Sequence, residues 1–172
     1  MEIDKIIKER YSVRKYKSDR VSDEIVSKIL EAAKHAPTAK NLQPFHVYVL
    51  RSEEAMNKIN SVCKCIFGAP SCFVISYDDE QAWHSPFNEG YQSGEMDASI
   101  VADEMMLTAW SLGIGTCWVG WFDHNAVHDA IGMKEHEHAA IIMPFGYAAD
   151  DSKPIAAFHD SFKEMTDIVT FM

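Results

Sequence analysis

Hydrophobic positions open the chain with a helical rhythm: Ile3, Ile6 and Ile7, continued by Arg10, fall at i, i+3, i+4 and i+7. The spacing predicts a first helix whose apolar stripe ends on a guanidinium. Facing the core, that charge would need a carboxylate or another anion; otherwise Arg10 simply favours the helix C-terminus through the dipole. Ser22, with Asp23 and Glu24 behind it, starts a second helix that runs through Ile25, Ile29, Leu30 and Ala33 until Pro37. Phe45 to Leu50 reads as a buried strand, 53 to 62 as a polar helix, and Ser71 to Ser76 as a second strand.

From Tyr77 to Gly94 the chain turns acidic, aromatic and loop-like, punctuated by Pro86 and Gly90. Gly94 to Leu112 is the longest helical stretch, apolar around most of its circumference, and so belongs in the core or at a subunit contact. Gly115 to Trp121 reads as a third strand, Asp123 caps a short helix through Ile131, and Ala139 to Phe145 is a fourth strand that Pro144 interrupts or places at an edge. The tail beyond Lys153 has room for one helical turn. Four strands among five helices predict an α+β layered domain, a single one spanning residues 1–172.

Composition narrows the functional classes. A net charge of -10 disfavours nucleic acid and acidic membrane surfaces, so any bound anion has to be captured locally. No apolar run is long enough to cross a bilayer. The opening Met1 to Lys5, with two acids and no apolar run behind it, sets the expectation of a cytoplasmic protein, and Cys63, Cys65, Cys72 and Cys117 are read as thiols.

Four constellations are candidates for chemistry. His124 and His128 stand at i, i+4, but Asn125 occupies the place where a zinc-protease helix has Glu, and surface histidines beside acids explain them and the His136/His138 pair. Cys117, before Trp118 in an apolar strand, reads as a packing thiol. Gly113 and Gly115 lack the spacing of a dinucleotide fingerprint. The fourth is a phosphate-bearing aromatic cofactor. Arg10, Ser12 and Arg14 offer charge-assisted donors for its phosphate, and Thr38, Asn41 and Gln43 in the Pro37 to Pro44 loop offer both donors and acceptors for a heterocycle edge. A solvated turn is the plain alternative for that loop.

Residues 10–16 (R-Y-S-V-R-K-Y), 36–45 (A-P-T-A-K-N-L-Q-P-F), 96–120 and 145–151 (F-G-Y-A-A-D-D) together resemble, in order, the nitroreductase-like flavoproteins. The resemblance implies a central, mostly antiparallel sheet flanked by helices, in an intertwined homodimer with FMN at the subunit interface. NADH or NADPH would be the transient reductant of a ping-pong reaction, and a small nitroaromatic, quinone or similar electron-poor compound the acceptor. Arg10, Ser12 and Arg14 would hold the phosphate and part of the flavin edge. Pro37, Thr38, Ala39 and Asn41 would approach from the partner subunit, and Thr116 and Cys117 would line the ring near N5. Lys163 takes the place of the family's C-terminal phosphate-binding base, with Glu164 where Pro is usual. No side chain is assigned as catalytic.

The segment Tyr77 to Gly94, with Trp83, His84, Phe87 and Tyr91, would roof the site. Other readings are a flavin-binding sensor or carrier without efficient turnover, a reductive dehalogenase-type relative, and a dimeric scaffold that binds no flavin.

Overall fold

The computed structural model describes residues 2–172. Helices α1 (Ile3–Glu9), α2 (Asp23–His35), α3 (Glu53–Val62), α4 (Gly94–Ser111) and α5 (His124–Ile131) surround four strands, β1 (Phe45–Leu50), β2 (Ser71–Asp78), β3 (Gly115–Thr116) and β4 (Glu137–Gly146). The strands form one antiparallel sheet in the order β1-β2-β4-β3. The fold is thus α+β, as the element pattern predicts.

Side chains alternate across the sheet with the strand period of two. Phe73 and Ile75 of β2 join Met143 and Phe145 of β4 in a core against α2 and α4, while Cys72 and Val74 join Ile142 in a second core against α3 and α5. Because helices cover both faces, residues 71–76 are buried without a polar alternation. Phe73 and Phe145 stack with centroids 4.1 Å apart at the centre of the first core. Helix α4 buries Ala98, Val101, Ala102, Met105 and Ala109, which matches its nearly all-round apolar surface.

Three expectations need correction. The strand expected over Gly115 to Trp121 keeps strand geometry only at Gly115–Thr116, although the chain stays in register as far as a bridge between Val119 and Ile142. The break has a covalent cause: Cys117 donates its N–H to the Pro144 carbonyl at 3.2 Å, and Pro144 has no N–H to return. Helix α1 ends at Glu9, so Arg10 sits past it in extended geometry (φ -63°, ψ 142°) instead of continuing the helical stripe. Of that stripe only Ile6 is buried; Ile3 and Ile7 face outward. The tail holds two four-residue turns, α6 (Ala156–His159) and α7 (Met165–Ile168), rather than one.

Candidate functional site

Leaving α1, residues Arg10 to Tyr16 run extended across the short strand β3. Val13 donates its N–H to the Thr116 carbonyl at 2.8 Å, and Ser12 bridges Thr116 in the parallel sense. The Tyr16 hydroxyl donates to the carbonyls of Val13 (2.8 Å) and Pro144 (3.2 Å), fastening the segment to β4. Val13 is fully buried, and extended chain alternates its side chains, so Arg10, Ser12 and Arg14 at spacing two share the opposite face. The close approach requires a glycine: a Cβ on Gly115 would lie 2.5 Å from Val13 Cγ2.

That face opens onto a cavity of about 520 Å³. Lys8, Arg10, Ser12 and Arg14 form its polar wall, and Ile7, Ile155, Phe158 and Phe162 its apolar one, with Tyr11, His159 and Asp160 completing the lining. Arg14 Nη1 donates to the Ser12 carbonyl at 3.2 Å, and its guanidinium carbon lies 5.9 Å from the Phe67 ring centre and 5.8 Å from that of Phe158. Two aromatic faces thus steady the Arg14 guanidinium. Among the described residues neither Arg10 nor Arg14 enters an ion pair, although ten more acids than bases populate the chain. Charge-assisted donors left free in a cavity are suited to an incoming anion.

Thr116 and Cys117, joined to this segment through Val13 and Ser12, are both buried. Burial pushes the Cys117 thiol up from its ordinary range, and Arg14 and the Ser12 hydroxyl only partly counter it. The group is therefore a thiol at neutral pH, not a nucleophilic thiolate.

The Pro37 to Pro44 loop is built differently. Thr38 Oγ1 accepts the Gln43 N–H at 3.0 Å, and Ala39 donates its N–H to Asp97 Oδ1 at 2.9 Å. Lys40, Asn41 and Gln43 all adopt left-handed backbone, with φ of 52°, 55° and 52°. Three such residues in a row of four cost energy, of order 1–3 kcal/mol each, and persist only where surrounding structure holds them. Asp97 is that support: it is 1% exposed, and its other oxygen accepts the Ser93 hydroxyl at 2.7 Å.

Within one chain, then, Arg10, Ser12 and Arg14 line the cavity and Thr116 and Cys117 stand behind them. Pro37, Thr38, Ala39 and Asn41 do not line it, and neither does Lys163. Sequence reading passed over Lys8, His159 and Asp160 as site residues. Lys8 could have been found two positions before Arg10, but nothing local marks the other two. In the segment expected to roof the site, Trp83 packs edge-on to Tyr91 at 6.4 Å and Phe87 is almost wholly exposed.

Fold and site together define a layered α+β domain with an anion-ready cavity beside the segment that runs along its β3 edge. The model of the nitroreductase family matches residues 7–67 and 63–147. A relative from Archaeoglobus fulgidus that carries the name NADH dehydrogenase/NAD(P)H nitroreductase is 29% identical over 154 residues, covering 86% of each chain. A crystal structure of a nitroreductase family protein from Clostridium difficile 630 superposes with a TM-score of 0.92 at 29% identity, over 99% of this chain and 98% of the other. An FMN-dependent nitroreductase from Clostridium difficile R20291 does so with a TM-score of 0.75 at 28% identity, over 96% of each. The chain belongs to the nitroreductase family. No helix among its described residues is long and apolar enough to cross a membrane.

Proposed function

We propose that this chain is an FMN-dependent oxidoreductase that takes hydride from NADH or NADPH and reduces nitroaromatics, quinones or similar electron-poor acceptors in a ping-pong sequence. The observation that carries the reading is the cavity wall of Lys8, Arg10 and Arg14, whose two guanidinium groups have no carboxylate partner among the described residues. Those residues fit a phosphate monoester, which accepts bidentate guanidinium donors. Arg10, Ser12 and Arg14 hold the phosphate, while Thr116 and Cys117, which do not line the cavity, back that segment from the buried side. When bound, FMN supplies the hydride chemistry that protein side chains lack. The chain's own part is to bind, orient and exclude water, so no acid–base residue is assigned.

The working unit in this reading is a homodimer. Within one chain the loop residues Pro37, Thr38, Ala39 and Asn41 line no part of the arginine cavity, so they serve the flavin bound by a second copy. A flavin carrier without efficient turnover is favoured by one observation: Lys163 lies off the cavity beside Glu164, which weakens the hold on a phosphate.

Purified protein should take up FMN and turn yellow, and its flavin absorbance should bleach anaerobically on adding NADH or NADPH and return with a quinone or nitro compound. Protein that takes up no FMN overturns the proposal. Retained FMN that neither nicotinamide bleaches moves the assignment to the carrier.

A further inference from the structure

We propose that the cation completing the phosphate site is Lys8, with His159 as a further donor, in place of Lys163; this rests on the FMN reading above. Arg10 and Arg14 provide the planar donors, and a phosphate monoester carrying up to two charges leaves capacity for another contact. Lys8 and His159 line the same cavity as the two arginines, whereas Lys163 does not.

Lys8 stands on the last turn of α1, two residues before Arg10. Its helix neighbour Lys5 is tied to Glu9 at 3.7 Å, while Lys8 has no carboxylate partner among the described residues and is free to reach an anion. His159 is fixed from the other wall. Its ring packs edge-on against Tyr11 at 6.5 Å, and the Tyr11 hydroxyl contacts the Ser152 carbonyl and hydroxyl, both at 3.3 Å. Tyr11 lies between Arg10 and Ser12, so the same short segment positions both arginines and the imidazole. Phe162 reaches the cavity wall, whereas Lys163 behind it is exposed to solvent beside Glu164.

Asp160 opposes this arrangement. It lines the cavity with Oδ1 at 4.0 Å from His159 Nε2, a negative group facing the incoming phosphate. Its presence implies that this chain binds FMN less tightly than its cations alone would allow.

The test compares FMN with riboflavin, which differ by the phosphate, using quenching of flavin fluorescence at equilibrium. Lys8→Ala and His159→Ala should each weaken FMN by roughly five- to fifty-fold, the size of one charge-assisted contact, and leave riboflavin unchanged. Lys163→Ala should leave both ligands unchanged, and Asp160→Asn should tighten FMN alone. Riboflavin binding doubles as the check that each variant is folded. If Lys163→Ala selectively weakens FMN while Lys8→Ala does not, or if Lys8→Ala weakens both flavins equally, the assignment is overturned. Wild-type protein that binds neither flavin fails the FMN reading itself, a distinct outcome.

Discussion

Ala39 donates its backbone N–H to the Asp97 carboxylate across 58 residues of sequence, tying the loop after α2 to the first turn of α4. The tie extends further, because Ser93 donates its hydroxyl to Asp97 and accepts the Trp83 N–H at 3.2 Å. One buried carboxylate therefore fixes both the left-handed loop and the end of the 77–94 segment. Asp97→Ala would leave an N–H and a hydroxyl without their acceptor and should cost about 2–4 kcal/mol in urea unfolding. Asp97→Asn keeps an acceptor for Ala39 and should recover part of that loss. A loss in Asp97→Ala no larger than that of an exposed acid such as Asp19→Ala would show that the tie holds nothing.

Gly115 and Val13 set the distance between the arginine-bearing segment and β3. Because a Cβ at 115 meets Val13 Cγ2 at 2.5 Å, with Cβ and Cγ1 also close, Gly115→Ala must push residues 12–14 away from Thr116. Overpacking of this kind costs roughly 1–3 kcal/mol, and here it should also weaken FMN, since Ser12 and Arg14 move with Val13. Trimming the opposing residue makes room, so Val13→Ala combined with Gly115→Ala should bind FMN better than Gly115→Ala alone. Strictly additive losses in that double-mutant cycle would rule out the steric explanation.

How much of this was legible in the sequence depends on the range of the signal. Helix α2 was, because Ser22 accepts the Ile25 N–H as an N-cap should and, of the expected apolar positions, Ile29 and Ala33 face inward while Ile25 and Leu30 are partly buried. The i, i+2, i+4 spacing of Arg10, Ser12 and Arg14 was also legible as a cluster, although the face they share is extended and not helical. The interruption after Thr116 was not, because it depends on which carbonyl Cys117 meets across the sheet, and Pro144 lies 27 residues away. Asp160 and His159 were equally hidden: only the fold returns the tail to the end of α1.

Glu137 and its partner Tyr48 should make the chain's stability pH-dependent at the acid and alkaline ends respectively. It is 3% exposed and accepts hydrogen bonds from Tyr48 and from His46 Nδ1 at 2.9 Å, with Lys134 at 3.4 Å. Burial alone would raise its pKa, but the Tyr48 and His46 hydrogen bonds outweigh that effect and hold the carboxyl below its ordinary value. A folded pKa below the unfolded one of about 4.3 stabilises the fold above that pH, and the benefit is lost as pH falls through the folded value. The stability gap between wild type and Glu137→Gln should therefore be constant near neutrality and close below about pH 4. Tyr48 is pushed up to about 12 by burial, then by Glu137. Its contribution is complete below its unfolded value of about 10 and disappears as pH rises through the folded one, so Tyr48→Phe should flatten the alkaline limb. Urea unfolding across pH reads both; limbs unchanged by either substitution would refute the account.

The tail carries a different kind of prediction, because its apolar residues have nothing to cover them within one chain. Phe162 is 84% exposed, Phe171 96% and Met165 67%, and Ile3 and Ile7 on α1 are more than half exposed as well. Monomeric proteins rarely leave so much large apolar surface in water, and a second copy of the chain is the partner that the dimer proposed above would supply. Sedimentation equilibrium of the full chain should give a dimer at micromolar concentration. Deleting residues 164–172 keeps Phe162 and the rest of the arginine cavity while removing Met165, Ile168 and Phe171, and should shift the equilibrium toward monomer. If the loop from the second copy completes the flavin site, FMN affinity should fall in parallel and become dependent on protein concentration. A full-length chain that sediments as a monomer, with FMN affinity independent of concentration, would place the whole site within one chain and leave the loop at Thr38 to Asn41 without a role.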